Sequence, residues 1–249
     1  AGRTLIGASI LIPIAIYRKK FGGAVLGFKY VAFYALMEMI GPWILITTAE
    51  QKINSGLAGL LVSTVPIFAT IITSLRGDHT VWQFKRIFGI VVGFVGLILV
   101  VGIESLSGNS DPLSIAMVIV ASMGYAYAVI MVTSNLPLVD GIAINGLAMA
   151  ITSVFWAPVA IAQWPSSISM NSALSLIALG VFSTAIAFIL FFKVMAEIGP
   201  ARSSLVTYLN TAIAVLLGVI ILREPLTVGI IVGLPLVLVG SYLASRKTA

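Results

Sequence analysis

Residues 201–245 read ARSSLVTYLNTAIAVLLGVIILREPLTVGIIVGLPLVLVGSYLAS, and residues 56–102 read GLAGLLVSTVPIFATIITSLRGDHTVWQFKRIFGIVVGFVGLILVVG. Each is a pair of apolar spans joined by a short charged turn. Setting Pro66 on Thr211 carries Ile67, Phe68 and Ala69 onto Ala212, Ile213 and Ala214. A slip of one residue in the turn then sets Gly89 on Gly233 and Gly96 on Gly240. Both second spans also hold a Gly-x-x-x-Gly, Gly89/Gly93 and Gly229/Gly233, a spacing that favours close approach of membrane helices. A helix pair repeated after an odd number of spans lies upside down relative to its copy, the arrangement on which alternating access is built.

The composition sets the solvent. With 249 residues, 60% hydrophobic and only 9% charged, the chain is too apolar for a soluble core. A mean hydropathy of +1.15 places it with polytopic membrane proteins. Cysteine is absent, so neither a disulfide framework nor a thiolate metal site is available. The single histidine, His79, lies in a charged loop beside Asp78 and is read as solvated; no metal and no cofactor is expected.

A formal charge of +6 would suggest nucleic acid in a soluble protein, so the placement of the positive residues decides its meaning. They fall on alternate loops. Arg18, Lys19, Lys20 and Lys29, then Arg76, Lys85 and Arg86, then Lys193 and Arg202, and finally Arg246 and Lys247 account for eleven of the fourteen; Arg3, Lys52 and Arg223 face the other way. The positive-inside rule therefore places the first group and the C-terminus in the cytoplasm, and the basic residues meet lipid headgroups rather than nucleic acid. The expected setting is the cell's inner (plasma) membrane, crossed many times, with a small-molecule substrate as partner and a monomer or homodimer as the assembly.

Hydropathy marks nine spans: 3–17, 29–48, 57–75, 87–103, 112–133, 141–163, 173–192, 204–222 and 226–244. Helices are expected because open strands cannot satisfy their backbone in lipid, and most of these runs approach the roughly 20 residues that cross a bilayer. The first is short and begins abruptly without a Met, which reads as a chain lacking its start, one whole helix included. The expected fold class is an all-α polytopic membrane protein of two inverted repeats of five helices, about nine of them present. The repeats divide as 1–104 and 112–249, at the Gly/Ser/Asn/Asp-rich loop 104–111. Trp43, Trp82 and Trp164 near span ends fit an interfacial aromatic belt, whereas Trp156 lies deeper.

Glu38, in the stretch YALMEMIGPW of residues 34–43, is the one carboxylate near the middle of a span. A charged acid at the bilayer centre costs on the order of 2.5 to 3.5 kcal/mol, so it should face a cavity or a partner. Removal from water favours the neutral acid, which suits a proton-coupling or amine-binding group. Tyr30 and Tyr34 precede it by eight and four residues, on one helical face. The structural alternative is a buried acid hydrogen-bonded to a tyrosine. Pro42 should kink this helix and free a carbonyl beside Glu38. Pro66, Pro158 and Pro235 read singly as architecture.

Span 204–222 carries Ser204, Thr207, Tyr208 and Thr211 on one face with Asn210 beside it, a polar stripe that lines a path or bonds to neighbouring helices. Ser63, Ser122, Tyr125 and the pair Ser183 and Thr184 are weaker candidates of the same kind. Glu224 in the turn Arg223-Glu224-Pro225 fits a helix start. The candidate cavity residues are thus Tyr34, Glu38, Trp43, Ser63, Tyr125, Trp156, Tyr208 and Asn210, with Glu38 the coupling candidate. Pro42, Pro66, Gly89, Gly93, Glu224 and Gly233 are structural. No Walker motif, zinc signature, nucleophile elbow or dinucleotide fingerprint occurs, so a membrane-embedded enzyme has no reactive constellation to use and no catalytic residue is expected. A channel would leave Glu38 and the inverted repeat without a purpose.

These residues resemble the drug/metabolite transporter superfamily, within it the ten-helix exporters built from two EamA domains. The resemblance is carried by Gly199-Pro-Ala-Arg-Ser-Ser, by residues 211–218, by Leu222-Arg-Glu-Pro-Leu-Thr227 and by the glycines of 233–240. The first copy keeps Pro66 and its glycines, but its turn Gly77-Asp-His-Thr80 is longer, and Thr211 stands where the second copy usually has proline. The resemblance implies two inverted five-helix bundles around a central cavity and export of small metabolites such as amino acids or drugs. It leaves the coupling open between a proton-linked carrier and an energy-independent facilitator. The absence of a buried Lys/Arg pair makes phosphorylated substrates a poorer fit.

Overall fold

The computed structural model describes residues 2–53, 55–78, 82–101, 111–163, 169–199 and 228–245, with scattered positions between 203 and 220. The described elements are helical, and no strand occurs among the described residues. They are α1 (Gly2–Tyr17), α2 (Phe21–Leu26), α3 (Phe28–Ala49), α4 (Ser55–Val62), α5 (Val65–Leu75), α6 (Phe84–Val101), α7 (Pro112–Asn135), α8 (Gly141–Ala162), α9 (Met170–Ile198) and α10 (Val228–Ser245). Of these, α3, α7, α8 and α9 are long and apolar enough to cross a membrane. The protein is an all-α polytopic membrane protein. His79, Trp164, Tyr208, Thr211, the turn 223–225 and loop residues 104–110 lie outside the described residues.

Three of the expected spans are interrupted or widened. Span 57–75 is two helices, because Pro66 at the start of α5 cannot donate to the turn before it. Ser63 and Thr64 form the joint: Ser63 Oγ donates to Gly59 O (2.9 Å) and Thr64 Oγ1 to Leu61 O (2.6 Å), occupying carbonyls near the break. Ser122 Oγ of α7 donates to the same Leu61 carbonyl (3.1 Å). The second interruption is a widening, not a gap: α3 contains a π-turn over Leu36–Ile40, immediately before Gly41 and Pro42. A proline displaces the carbonyl one turn back, and an extra residue per turn accommodates that displacement.

A second π-turn, Val181–Ile186, lies inside α9. The displacement that sets Pro66 on Thr211 also sets Leu36 on Val181, so the two wide turns begin at matching places in the two copies. No proline follows the second; Ala187 stands where Pro42 does. Instead Thr184 Oγ1 donates five residues back to Leu179 O (2.8 Å), taking a carbonyl that the wide turn leaves accessible.

The chain forms two compact units that each draw on both halves of the sequence: Ala1–Ile40 with Met131–Gly199, and Gly41–Ile130 with Pro200–Ala249. In the first unit, α1 and α8 run antiparallel at close range. Gly146 faces Leu11 and Ile12, where a Cβ would come within 3.1 Å; Gly7 faces Met149 and Thr184. Ser153 Oγ donates to Thr4 Oγ1 at 2.8 Å. Gly180 of α9 leaves room for Ile6 of α1.

In the second unit α6 and α10 cross through their glycines. A Cβ on Gly89 would lie 2.6 Å from the carbonyl oxygen of Gly240, and one on Gly96 would lie 2.7 Å from that of Gly233; Gly240 also meets Gly93. Since Gly89 matches Gly233 and Gly96 matches Gly240 in the repeat, each glycine packs on its counterpart's partner. That exchange is the signature of a two-fold relation between antiparallel helices. Ile90, Leu97, Leu205, Val237 and Ala244 fill the cluster beside the crossing.

Aspartates open two of the helices. Asp140 Oδ1 accepts from Ile142 N (2.8 Å), and Asp111 Oδ2 accepts from Ser114 N (3.0 Å) and Ser114 Oγ (2.8 Å), satisfying first-turn donors of α8 and α7. Each carries a lysine from another loop: Lys20 lies 3.8 Å from Asp140, and Lys52 lies 3.6 Å from Asp111. Hydrogen bonds from Ser114, with Lys52 beside it, hold the Asp111 carboxyl below its ordinary value.

Candidate functional site

The π-turn places Glu38. Its Oε2 is buried and has no hydrogen-bond partner. Tyr34, fully buried one turn earlier, donates its hydroxyl to Asn145 Oδ1 of α8 at 3.2 Å. The Tyr34 hydroxyl is thus committed to Asn145 rather than to Glu38 Oε2. Tyr30 is half-buried, with the Lys29 ammonium 4.8 Å from its ring centroid.

Asn145 is fixed on both sides. Its Nδ2 donates to Gly141 O (2.9 Å), which leaves Oδ1 to accept from Tyr34. Phe192 of α9 stands edge-on to the Tyr34 ring at 6.4 Å and lies against Gly141, where any Cβ would collide with it. The hydroxyl of Tyr34 is thus positioned by three helices. Sequence reasoning passed over Asn145; the available signal was an amide alone in the apolar stretch GIAINGLAMA of residues 141–150, where an unpaired polar group is costly.

Further along the same faces, Thr152 Oγ1 lies 3.5 Å from Met39 Sδ while donating to Ala148 O at 2.8 Å. One turn beyond Thr152 is Trp156, half-buried, with its Nε1 inaccessible and unpartnered. Phe155 packs against the indole edge-to-face at 5.4 Å. A buried acceptor and a buried donor, neither satisfied by the chain, therefore lie on facing helices of the first unit. Native proteins satisfy the great majority of such groups, so these two call for an explanation.

The remaining expected residues fall in the second unit or outside the described residues. Trp43 is half-buried in the latter part of α3, its carbonyl accepting from Thr47 Oγ1 at 2.6 Å. Ser63 is fully buried in the α4–α5 joint, and Tyr125 packs beside Val65, Ala69, Ala126 and Ile130. Asn210 is exposed. Tyr208 and Glu224 are not described. No group of three or more His, Asp or Glu side chains able to hold a metal occurs among the described residues.

Residues 1–102 and 112–246 match the EamA-like transporter family. The chain belongs to this family. It is 26% identical, over 97% of its length and 84% of the relative's, to "Uncharacterized transporter YoaV" of Bacillus subtilis. It is 28% identical to "Uncharacterized inner membrane transporter YedA" of Escherichia coli K12, covering 85% of this chain and 71% of YedA. An "Uncharacterized transporter" of Archaeoglobus fulgidus is 26% identical over 82% of this chain and 72% of its own. The fold of this chain also recurs in a solved crystal structure with a TM-score of 0.80 at 15% identity, covering 98% of this chain and 85% of the other. As an EamA-like protein, the chain is a multi-pass membrane transporter.

Proposed function

We propose that this transporter is a secondary carrier that exports amino acids or related amphipathic metabolites by alternating access, with Glu38 taking the coupling proton or the substrate's amine. The observation that carries the proposal is Glu38 itself: an acid buried at Oε2, held in a π-turn and left without a partner. π-turns in membrane helices recur at functional sites, and intramembrane acids mark ion and substrate paths. The interrupted helices and the two-fold glycine crossing support an inverted-repeat mechanism. The printed name of YedA and the distribution of lysine and arginine support an inner-membrane location with the C-terminus in the cytoplasm.

Counterflow in proteoliposomes tests this. Vesicles are loaded with unlabelled amino acids, and labelled threonine, methionine or phenylalanine is supplied outside, with and without a pH gradient. Saturable uptake that depends on the internal solute is expected for the wild type, with loss of the pH dependence or of exchange in Glu38→Gln. Wild-type behaviour in Glu38→Gln would remove Glu38 from the mechanism; absence of exchange for every amino acid would refute the substrate class.

A further inference from the structure

The second unit holds an apolar crevice between α5 and α6, with a volume of about 210 Å³. Ile67, Thr70 and Ile71 of α5 and the face of α6 from Ile87 to Val95 form its walls at helical spacing, so about 12 Å of α6 runs along it. Ile71, Val91 and Val95 are exposed, which leaves the crevice open at a surface that meets lipid in a membrane. Thr70 is the only polar side chain of these helical walls among the described residues, and its Oγ1 already donates to Pro66 O at 2.8 Å. Such walls offer a polar solute nothing, whereas an acyl chain gains with every methylene it buries. One end of the crevice is different. Trp82 lines it there, exposed, with its Nε1 donating to Ser74 Oγ at 2.6 Å, an indole anchored as at the headgroup level. Lys85 and Arg86 follow at the start of α6. Arg86 is only 7% exposed, and its Nη2 lies 3.5 Å from Thr70 Oγ1, which brings the guanidinium beside the crevice wall. Arg76, after the end of α5, adds a third positive charge; its Nη1 donates to Ile130 O at 3.4 Å. Asp78 is the one acid between Thr70 and Val95, so positive charge prevails here by three to one.

We infer that this crevice binds an anionic phospholipid, with one acyl chain laid along α5 and α6 and the phosphate held by Lys85 and Arg86 beside Trp82. The joining of the two parts selects a lipid: a soluble phosphate would use the basic end and leave the apolar walls bare, and a neutral lipid would use the walls alone. The anionic headgroup follows from the charge, since a guanidinium matches phosphate oxygens in pairs and the ammonium of Lys85 adds a point charge. Basic pockets between membrane helices are a recurring form of headgroup site. In the orientation drawn from lysine and arginine, this lipid belongs to the cytoplasmic leaflet. Ile67, Ile90 and Phe94 of the crevice also pack in the cluster beside the α6–α10 crossing, so the bound chain buttresses α6 where its other face meets α10.

The test uses the full chain purified in detergent, with phosphatidylglycerol and phosphatidylcholine of identical acyl chains and glycerol 3-phosphate as probes. Thermal stabilisation is read against the mole fraction of lipid in the micelle. Phosphatidylglycerol should stabilise wild type at about a tenfold lower mole fraction than phosphatidylcholine, the order expected for two basic side chains near a headgroup. Glycerol 3-phosphate should not stabilise it. Lys85→Gln, a change at an exposed position, should lose part of the preference, and Arg86→Gln most of it. Val91→Phe, which fills the crevice without altering charge, should weaken both lipids and keep their ratio. At low mole fraction, phosphatidylglycerol brominated in its acyl chains should quench a share of the tryptophan fluorescence that Trp82→Phe lacks. Equal stabilisation of wild type by the two lipids overturns the inference, as does an unchanged preference in Lys85→Gln and Arg86→Gln or equal quenching with and without Trp82. Stabilisation by glycerol 3-phosphate that matches phosphatidylglycerol would mark a free-anion site and overturn it as well.

Discussion

Tyr34 and Asn145 meet inside a membrane helix pair, where neither has water as an alternative partner. Tyr34→Phe leaves Asn145 Oδ1 without its donor, and Asn145→Ala leaves the Tyr34 hydroxyl buried alone. Each is expected to lower stability by roughly 1 to 3 kcal/mol, and the double variant by clearly less than the sum, because the penalty belongs to one shared bond. Thermal unfolding in detergent reads this, and strict additivity would show that the bond contributes nothing of its own. Asp111 lies outside the spans and titrates where it can be followed. Its folded carboxyl is held low by Ser114 and Lys52, so its contribution is present above the ordinary carboxylate range and is lost as pH falls through the lowered folded value. Asp111→Ala should therefore melt below wild type at neutral pH, with the gap closing on acidification; a gap independent of pH would exclude the carboxylate as its source.

Elements are joined here by what small residues permit. Along α6 and α10 the backbones touch at glycine, so Gly89→Val would drive a side chain into the Gly240 carbonyl and the Ala244 amide. Overpacking of this kind costs roughly 1 to 3 kcal/mol or more, since backbone cannot step aside as a flexible side chain can. Gly59 of α4 has nothing within 4 Å of its Cβ position, so Gly59→Ala should be neutral or slightly stabilising through helix propensity. Equal melting of Gly89→Val and Gly59→Ala would contradict the crossing. The Gly-x-x-x-Gly spacing marked these helices for close packing because it is local, but which helix each would meet was not legible from it. The interruption before Pro66 was less legible: proline marked the place, but whether a helix kinks or divides depends on hydroxyls such as Ser63 and Thr64 taking up the neighbouring carbonyls.

For the molecule as a whole, the absence of cysteine makes cross-linking direct. Thr4→Cys with Ser153→Cys should form a disulfide on mild oxidation, because these side chains already touch at 2.8 Å. Thr4→Cys with Asn145→Cys should not, being more than two turns out of register along α8. The reverse result would mean that α1 and α8 do not run antiparallel. For orientation, a cysteine in place of Lys19 should react with an impermeant reagent only from the cytoplasmic face, and one in place of Lys52 only from the other; labelling of both from one side would overturn the topology drawn from lysine and arginine.

The sequence by itself determined the solvent, the helical class and the repeat. These follow from hydropathy summed along a span, from the backbone's need for hydrogen bonds in lipid, and from small residues at fixed spacing, all of them local properties. It also singled out Glu38, because a carboxylate in an apolar run is costly wherever it points. Only the tertiary structure decided what that carboxylate meets. Tyr34 finds its acceptor 111 residues away, on a helix that no period along the chain assigns to it, and Glu38 Oε2 stays buried without a partner. The compact units likewise draw on both sequence halves, because antiparallel copies bury their glycine and small-residue faces best against each other, and that choice of partner is made by surface complementarity rather than by order along the chain.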